Sequence, residues 1–220
     1  MTHSADAEIS DTFLTSLQRA DQRKHPYPHW LLDRCLPEAV VDALVALPIA
    51  PPRTEYAIGR REANNDSRVH FGIENQSRYE VVASLARAFQ SRRLVDALTH
   101  ETGAFLAGTS LRIEYCQDTD GFWLEPHTDI GVKKFTMLVY LNRELEGAAW
   151  GTDIYADKDS HFGRAPSPFN SALVFVPSDK TWHGFEKRPL NGVRKSLIVN
   201  YVSQEWRNRQ ELCFPDSPVG

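Results

Sequence analysis

The sequence predicts an α+β fold in which a helical first half backs an antiparallel β region folded as a sandwich or jelly roll. Three observations carry this. Apolar residues recur every three or four positions in several early segments, which is the helical spacing. In the second half, short runs rich in β-branched and aromatic residues replace them, separated by Gly and Pro. Strands and helices do not alternate as βαβ units, which argues against a doubly wound parallel sheet.

Taken in order, residues 1–10 are polar and terminal and read as a disordered tail. Residues 11–105 read as a helical support region. Within it, Asp11 to Asp21 forms a short helix carrying Phe13, Leu14 and Leu17 on one side. His25-Pro26-Tyr27-Pro28-His29-Trp30 is extended, because a residue before proline avoids the helical region. Pro37 to Leu47 reads as a helix, with Pro37 in the first turn and Pro48 closing it. Tyr79 to Gln90 and Arg92 to Thr102 are helical by periodicity. Residues 106–205 read as the β core, with strands at Leu111–Tyr115, Phe135–Leu141, Ala172–Val176 and Val193–Val202. Residues 206–220 read as a C-terminal tail, and the whole as one structural domain.

Composition narrows the function classes. The chain has 220 residues, is 41% hydrophobic and carries a net charge of −4. That balance argues against general nucleic-acid binding. No apolar run reaches membrane-spanning length, so no membrane partner is expected. The N-terminus lacks the basic start and apolar centre of a signal peptide. Three widely spaced cysteines build neither a disulfide framework nor a CxxC metal motif, and a reducing cytoplasm is the expected setting.

The chemistry gathers in the β region. His127-Thr128-Asp129 places a histidine and a carboxylate two residues apart, and strand alternation turns such residues to one face. Glu125-Pro126 delivers the chain extended to His127, and Gly131 lets it turn afterwards. His183 follows a strand ending at Phe175-Val176-Pro177, at the rim of a sheet. Two histidines and one carboxylate make a facial metal triad that leaves half an octahedron open, an arrangement suited to non-haem Fe(II). By itself an HxD string is common by chance among eight histidines; what raises it is this context. The other histidines, at 3, 25, 29, 70, 100 and 161, form no competing pair and are read as surface or hydrogen-bonded structural groups. In the last strand Arg194, Ser196, Ile198 and Asn200 share a face. A planar guanidinium binds a carboxylate at two points, and the Ser196 hydroxyl adds a third bond. A structural salt bridge from Arg194 to one of the chain's carboxylates is the equal alternative.

The order HTD, distal His, RxS resembles the 2-oxoglutarate and Fe(II)-dependent oxygenases, especially their bacterial, prolyl-hydroxylase-like branch. The resemblance spans Leu111 to Val202. It includes Leu111-Arg112-Ile113-Glu114-Tyr115, similar to the strand before the HxD, and Phe135 to Asn142, similar to a strand ending Tyr-Leu-Asn. Where that branch has a Gly-Gly-Glu-Leu-like segment this chain has Gly151-Thr152-Asp153, a departure next to the substrate side. The resemblance implies a double-stranded β-helix, a cupin-like jelly roll, with the N-terminal helices packed on one sheet. It implies Fe(II) held by His127, Asp129 and His183, which would be the catalytic set. It implies 2-oxoglutarate held by Arg194 and Ser196 with Tyr115, O2 as the second co-substrate, and hydroxylation of a C–H bond with release of succinate and CO2. A carboxylate at Asp129 implies hydroxylation rather than halogenation, since related halogenases have a small residue there.

Substrate identity is thinner. Trp150 and Asp153, which flank the motifs, are candidate substrate contacts. The polar tract from Arg53 to Arg78 reads either as solvated surface or as a lid that brings Arg60, Asn64 and Arg68 against substrate. A small polar molecule is the favoured substrate, and a homodimer is open. Two rival readings stand beside the oxygenase: a cupin-like metal-dependent hydrolase or isomerase, and a non-catalytic barrel binding module.

Overall fold

The computed structural model describes residues 4–52, 58–60 and 67–220. Two antiparallel sheets face each other, and helices cover the outer face of the larger one. The elements run α1 (Ala5–Gln18), β1 (Asp21–Arg23), β2 (His29–Leu32), α2 (Glu38–Val45), β3 (Arg68–His70), α3 (Ile73–Arg78), α4 (Glu80–Gln90) and α5 (Arg92–Thr102). The β region follows as β4 (Ser110–Asp118), β5 (Leu124–His127), β6 (Lys133–Tyr140), β7 (Asp153–Asp157), β8 (Ser160–Arg164), β9 (Ser171–Phe175), β10 (His183–Phe185) and β11 (Arg194–Val202). The large sheet has the order β1-β2-β9-β6-β11-β4-β3 and the small one β5-β10-β7-β8.

The helices form where the spacing places them. Ile9, Phe13 and Leu17, four apart, make one buried stripe on α1. Phe13 meets Phe89 of α4 edge-on, with ring centroids 5.0 Å apart. Ser91 caps α5 by accepting the Leu94 N–H, and Gly103 ends it in the left-handed region, with φ 74°, where a Cβ would be strained.

Strand alternation then sorts the large sheet into two faces. Leu111, Ile113, Phe135, Met137, Val139, Leu197, Val199 and Tyr201 join the helices in the main core. The residues between them point at the small sheet. On β6 and β9 this inner face is largely apolar, and Leu138, Tyr140, Leu173 and Phe175 pack with Ile154 of β7. On β4 and β11 it is polar: Arg112, Glu114, Asp118, Arg194, Ser196 and Asn200 are all buried. The charged half of this alternation therefore faces the space between the sheets rather than water.

Two boundaries differ from expectation. Helix α1 begins at Ala5, and Ile9 is fully buried, so the expected disordered segment 1–10 is ordered from Ala5 onward. An apolar side chain every fourth residue outweighed terminal position. The C-terminal segment is likewise packed: Leu212 bridges to Arg112, the Val219 N–H donates to the Thr109 carbonyl, and Cys213 is buried. Of the polar tract Arg53–Arg78, β3 and α3 are regular structure, whereas 53–57 and 61–66, including Asn64, lie outside the described residues.

Cys35, Cys116 and Cys213 are all buried, and burial pushes the Cys35 and Cys213 thiols up to about 12. The native chain is expected to resist thiol reagents near pH 8, with three thiols reacting once it is unfolded in denaturant. A disulfide-exchange titration before and after denaturation checks this.

Candidate metal centre and its cation-lined cavity

His127 ends β5 and His183 begins β10, and the two residues are directly paired across these strands, with ring centroids 4.4 Å apart. Gly184 permits this approach, since a Cβ there would lie 2.9 Å from the Leu124 carbonyl oxygen. Asp129 lies in the turn after β5, and its carboxylate is held from β6. Thr136 Oγ1 donates to Oδ2 at 2.6 Å and Lys133 Nζ to Oδ1 at 2.5 Å. One ligand atom from each of His127, Asp129 and His183 lies within 4.8 Å of the others.

The ring orientations suit a metal. His127 Nδ1 is 2.8 Å from the Glu125 carbonyl oxygen and His183 Nδ1 is 2.9 Å from that of Thr181. Each Nδ1–H donates to a backbone carbonyl two residues earlier, which turns the Nε2 lone pair inward, the usual outer support of a metal-binding histidine. Burial, then the adjacent His127, pull the His183 ring down to about 4, against the pull of Asp129. Burial would raise Asp129, but Lys133, His183 and the two donated bonds outweigh it and hold the carboxyl well below the usual range. The set is two imidazoles and one carboxylate, a donor set that fits Fe(II) or a similar divalent cation.

A narrow cavity of about 50 Å³ connects the triad to Arg194 and Arg68. Arg194 is buried. Its Nε donates to the Trp150 carbonyl at 2.7 Å, its Nη1 to Asp118 Oδ2 at 2.6 Å, and it lies 4.7 Å from the Phe185 ring centroid. The two readings of Arg194 are therefore not exclusive: it makes a salt bridge and also lines the cavity. Ser196 lies on the same inner face, and its buried Oγ has no hydrogen-bond partner among the described residues.

Other expected site residues are placed differently. Tyr115 pairs with Leu197, on the outward face of the sheet, where its ring stacks on Phe71 with a centroid distance of 6.4 Å. It belongs to the helix-facing core and not to the cavity, one residue out of phase with Cys116. Trp150 packs its ring with Phe122, Phe185 and Leu190, and touches the site only through its carbonyl. Asp153 is fully buried and saturated. It accepts from Arg164 at 3.0 Å and from the Glu186 N–H at 2.7 Å, lies 3.2 Å from His161 Nε2, and pairs with Arg188. Thr152, its neighbour, is the one that lines the cavity. Asp153 thus ties β7, β8 and the segment after β10 together. Arg60 does lie at the mouth. It is exposed, pairs with Glu125 at 2.9 Å, and lines an open depression of about 380 Å³ with His127 and Asp129.

Sequence reasoning missed Lys133, Thr136, Asp118 and Tyr140. Tyr140 Oη donates to Thr152 Oγ1 at 3.0 Å. The signal available was phase: Thr136 and Tyr140 lie in step on β6, and Asp118 lies in step with Cys116 on β4.

No protein-family profile matches the chain, and no curated protein matches it. Solved structures do. A prolyl 4-hydroxylase from Phytophthora capsici superposes with a TM-score of 0.58 at 15% identity, over 92% of this chain and 67% of that one. The chain has the fold of the prolyl 4-hydroxylases. A Pseudomonas putida prolyl-4-hydroxylase gives a TM-score of 0.54 at 17% identity, covering 89% of this chain and 98% of that one. The viral collagen prolyl hydroxylase of Paramecium bursaria Chlorella virus-1, in its 2-oxoglutarate complex, gives 0.53 at 12% identity over 80% and 96%.

The His183 ring supplies a pH test of the metal-free chain. Its folded value of about 4 lies below the ordinary 6.5, so between these values the unfolded chain takes up the proton more readily. Stability is fully present above pH 6.5 and declines as pH falls toward 4, by up to about 3 kcal/mol. Thermal melts across this interval check the direction, and His183→Gln should flatten the slope.

Proposed function

We propose that this chain is a 2-oxoglutarate- and Fe(II)-dependent dioxygenase that hydroxylates a C–H bond of a small polar substrate and releases succinate and CO2. We also infer that β4 to β11 wind as a double-stranded β-helix. In support, β4-β11-β6-β9 lie in one sheet and β5-β10-β7-β8 in the other, an order that arises when the chain passes repeatedly between facing sheets. The observation that carries the function is the shared cavity, with a metal triad and buried guanidinium groups in one enclosed space. Arg68 and Arg194 share the one carboxylate of Asp118, and the surplus buried cation calls for an anion, so a chelating dicarboxylate meets both requirements. A metal-bound-water hydrolase has no use for these guanidinium groups.

His127, Asp129 and His183 would hold Fe(II), and Arg194 with Ser196 would receive the distal carboxylate of 2-oxoglutarate. When bound, iron and the oxo acid supply oxidative decarboxylation with O2 as oxidant. The chain's own part is positional. Backbone carbonyls lock the histidine rings, and Lys133 with Thr136 keeps the Asp129 carboxylate ionised and aimed. Phe185, Leu138 and Ile198 line the cavity with apolar surface, which excludes water and strengthens each charge interaction within. The substrate would approach from the open depressions that flank Thr128 and Asp129.

Anaerobic protein loaded with Fe(II) is expected to bind 2-oxoglutarate with a metal-to-ligand charge-transfer band, and to form succinate in air. Absence of both would overturn the assignment. Asp129→Ala should weaken iron binding and abolish hydroxylation. Arg194→Met should weaken 2-oxoglutarate binding by on the order of 10- to 150-fold, the value of a lost charge-assisted hydrogen bond of about 1.5–3 kcal/mol. A panel of amino acids, saccharides and peptides scored for succinate then identifies the substrate class.

A further inference from the structure

We propose that Arg68 is a second anchor for the distal carboxylate, so that the cavity grips it with two guanidinium groups that share one aspartate. This rests on the 2-oxoglutarate reading and adds a residue from outside the β4–β11 strands.

Arg68 lies on β3, an edge strand of the large sheet, and pairs with Cys116 of β4. Cys116 pairs in turn with Ser196, so Arg68, Cys116 and Ser196 form one rung across three strands. The Arg68 side chain is 3% exposed and lines the same cavity as Arg194 and the triad. Its Nη1 lies 3.1 Å from Asp118 Oδ1, while Arg194 Nη1 lies 2.6 Å from Oδ2.

The charge count decides the matter. Arg194 and Asp118 alone cancel, which would leave the cavity with no net attraction for an anion. Arg68 restores one positive charge. Neighbouring ions do not remove it: Asp129, in the same cavity lining, pairs with Lys133, Glu114 pairs with Arg112, and Asp153 is taken by Arg188 and Arg164. Asp118 itself is fully used, since Ser67 Oγ also donates to it at 3.3 Å. Two donors in this region, Arg68 Nε and Ser196 Oγ, are buried without a hydrogen-bond partner among the described residues. A buried donor left unmade is destabilising. One surplus charge and two unused donors are what an incoming carboxylate would complete.

The test is calorimetric titration of Mn(II)-loaded protein under non-turnover conditions. The ligands are 2-oxoglutarate and 2-oxobutanoate, which chelates equally but lacks the distal carboxylate. Arg68→Met is expected to weaken 2-oxoglutarate binding by on the order of tenfold or more and to leave 2-oxobutanoate within about twofold. Arg68→Met with Asp118→Asn frees Arg194, returns the net charge to one positive, and should recover most of the affinity. If wild-type protein does not bind 2-oxoglutarate, the functional reading itself fails. If wild type binds and Arg68→Met binds as tightly, the reading stands and the second anchor is overturned. An equal loss for both ligands, or a folded double variant that stays weak, assigns Arg68 a structural role and also overturns it. Should Arg68→Met fail to fold, Arg68→Lys keeps the charge and should keep the preference for the dicarboxylate. Loss of that preference in the folded Lys variant counts against the proposal.

Discussion

Nine consecutive residue pairs join β4 to β11, and the rest of the molecule depends on their register. In one phase the ladder sends Leu111, Ile113, Tyr115, Leu197, Val199 and Tyr201 to the helices. In the other it sends Arg112, Glu114, Asp118, Arg194 and Asn200 between the sheets. A slip of one residue would exchange the faces, driving five polar or charged side chains into an apolar core. The helices help to hold the register from outside, since Tyr201 Oη donates to the Phe89 carbonyl at the end of α4.

An interior with charges is costly unless each is paired, because removal from water outweighs an incomplete ion pair. Three groups meet this requirement. Arg112 is taken by Glu114 and Glu211 at one end of β4. Asp129 is taken by Lys133 and Thr136. Asp118 is shared by Arg68 and Arg194 at the other end of β4. The first pairs a buried cation with carboxylates on both sides, and the second fixes a ligand in its ionised form. The third holds more cations than carboxylates, as does Asp153 with Arg164 and Arg188, but only the third brings its surplus into the cavity beside His127 and His183. That imbalance lies beside His127, Asp129 and His183, whose imidazole rings are oriented by backbone carbonyls.

Much of this was legible from residue order. Helices α4 and α5 follow from apolar spacing, and the triad from HTD with a distal histidine in the right strand context. The errors share one physical origin. The resemblance implies Tyr115 at the site, and nearness to the motifs points to Trp150 and Asp153, yet Tyr115 and Asp153 each lie one residue from the inward-facing position and Trp150 packs with Phe122, Phe185 and Leu190. Cys116 and Thr152 are in phase with the interior, and Tyr115 and Asp153 are not. The same alternation rule that grouped Arg194 with Ser196 would have excluded Tyr115. The pairing of Asp118 with both Arg68 and Arg194 joins residues 50 and 76 positions apart, and no local pattern encodes such a contact. The early start of α1 was hidden by its polar composition: Ile9 is the only large apolar residue in its first turns.

Chemistry and specificity are separated in space here, and this explains why one is readable and the other is not. The enclosed cavity of about 50 Å³ and two open depressions of about 380 and 770 Å³ all share Asp129 and Lys133. Asp129 is therefore the junction between the closed space and the surface. On the closed side, burial restricts side chains to those whose charges can be satisfied, so residue type and strand phase carry information. On the open side lie Arg60, Ile130, Lys134 and Phe105, in segments between regular elements or at their ends. Water satisfies such residues whatever they bind, so their identities are weakly constrained by folding. Phe105 and Ile130 remain 77% and 58% exposed beside this junction, apolar surface that folding leaves uncovered.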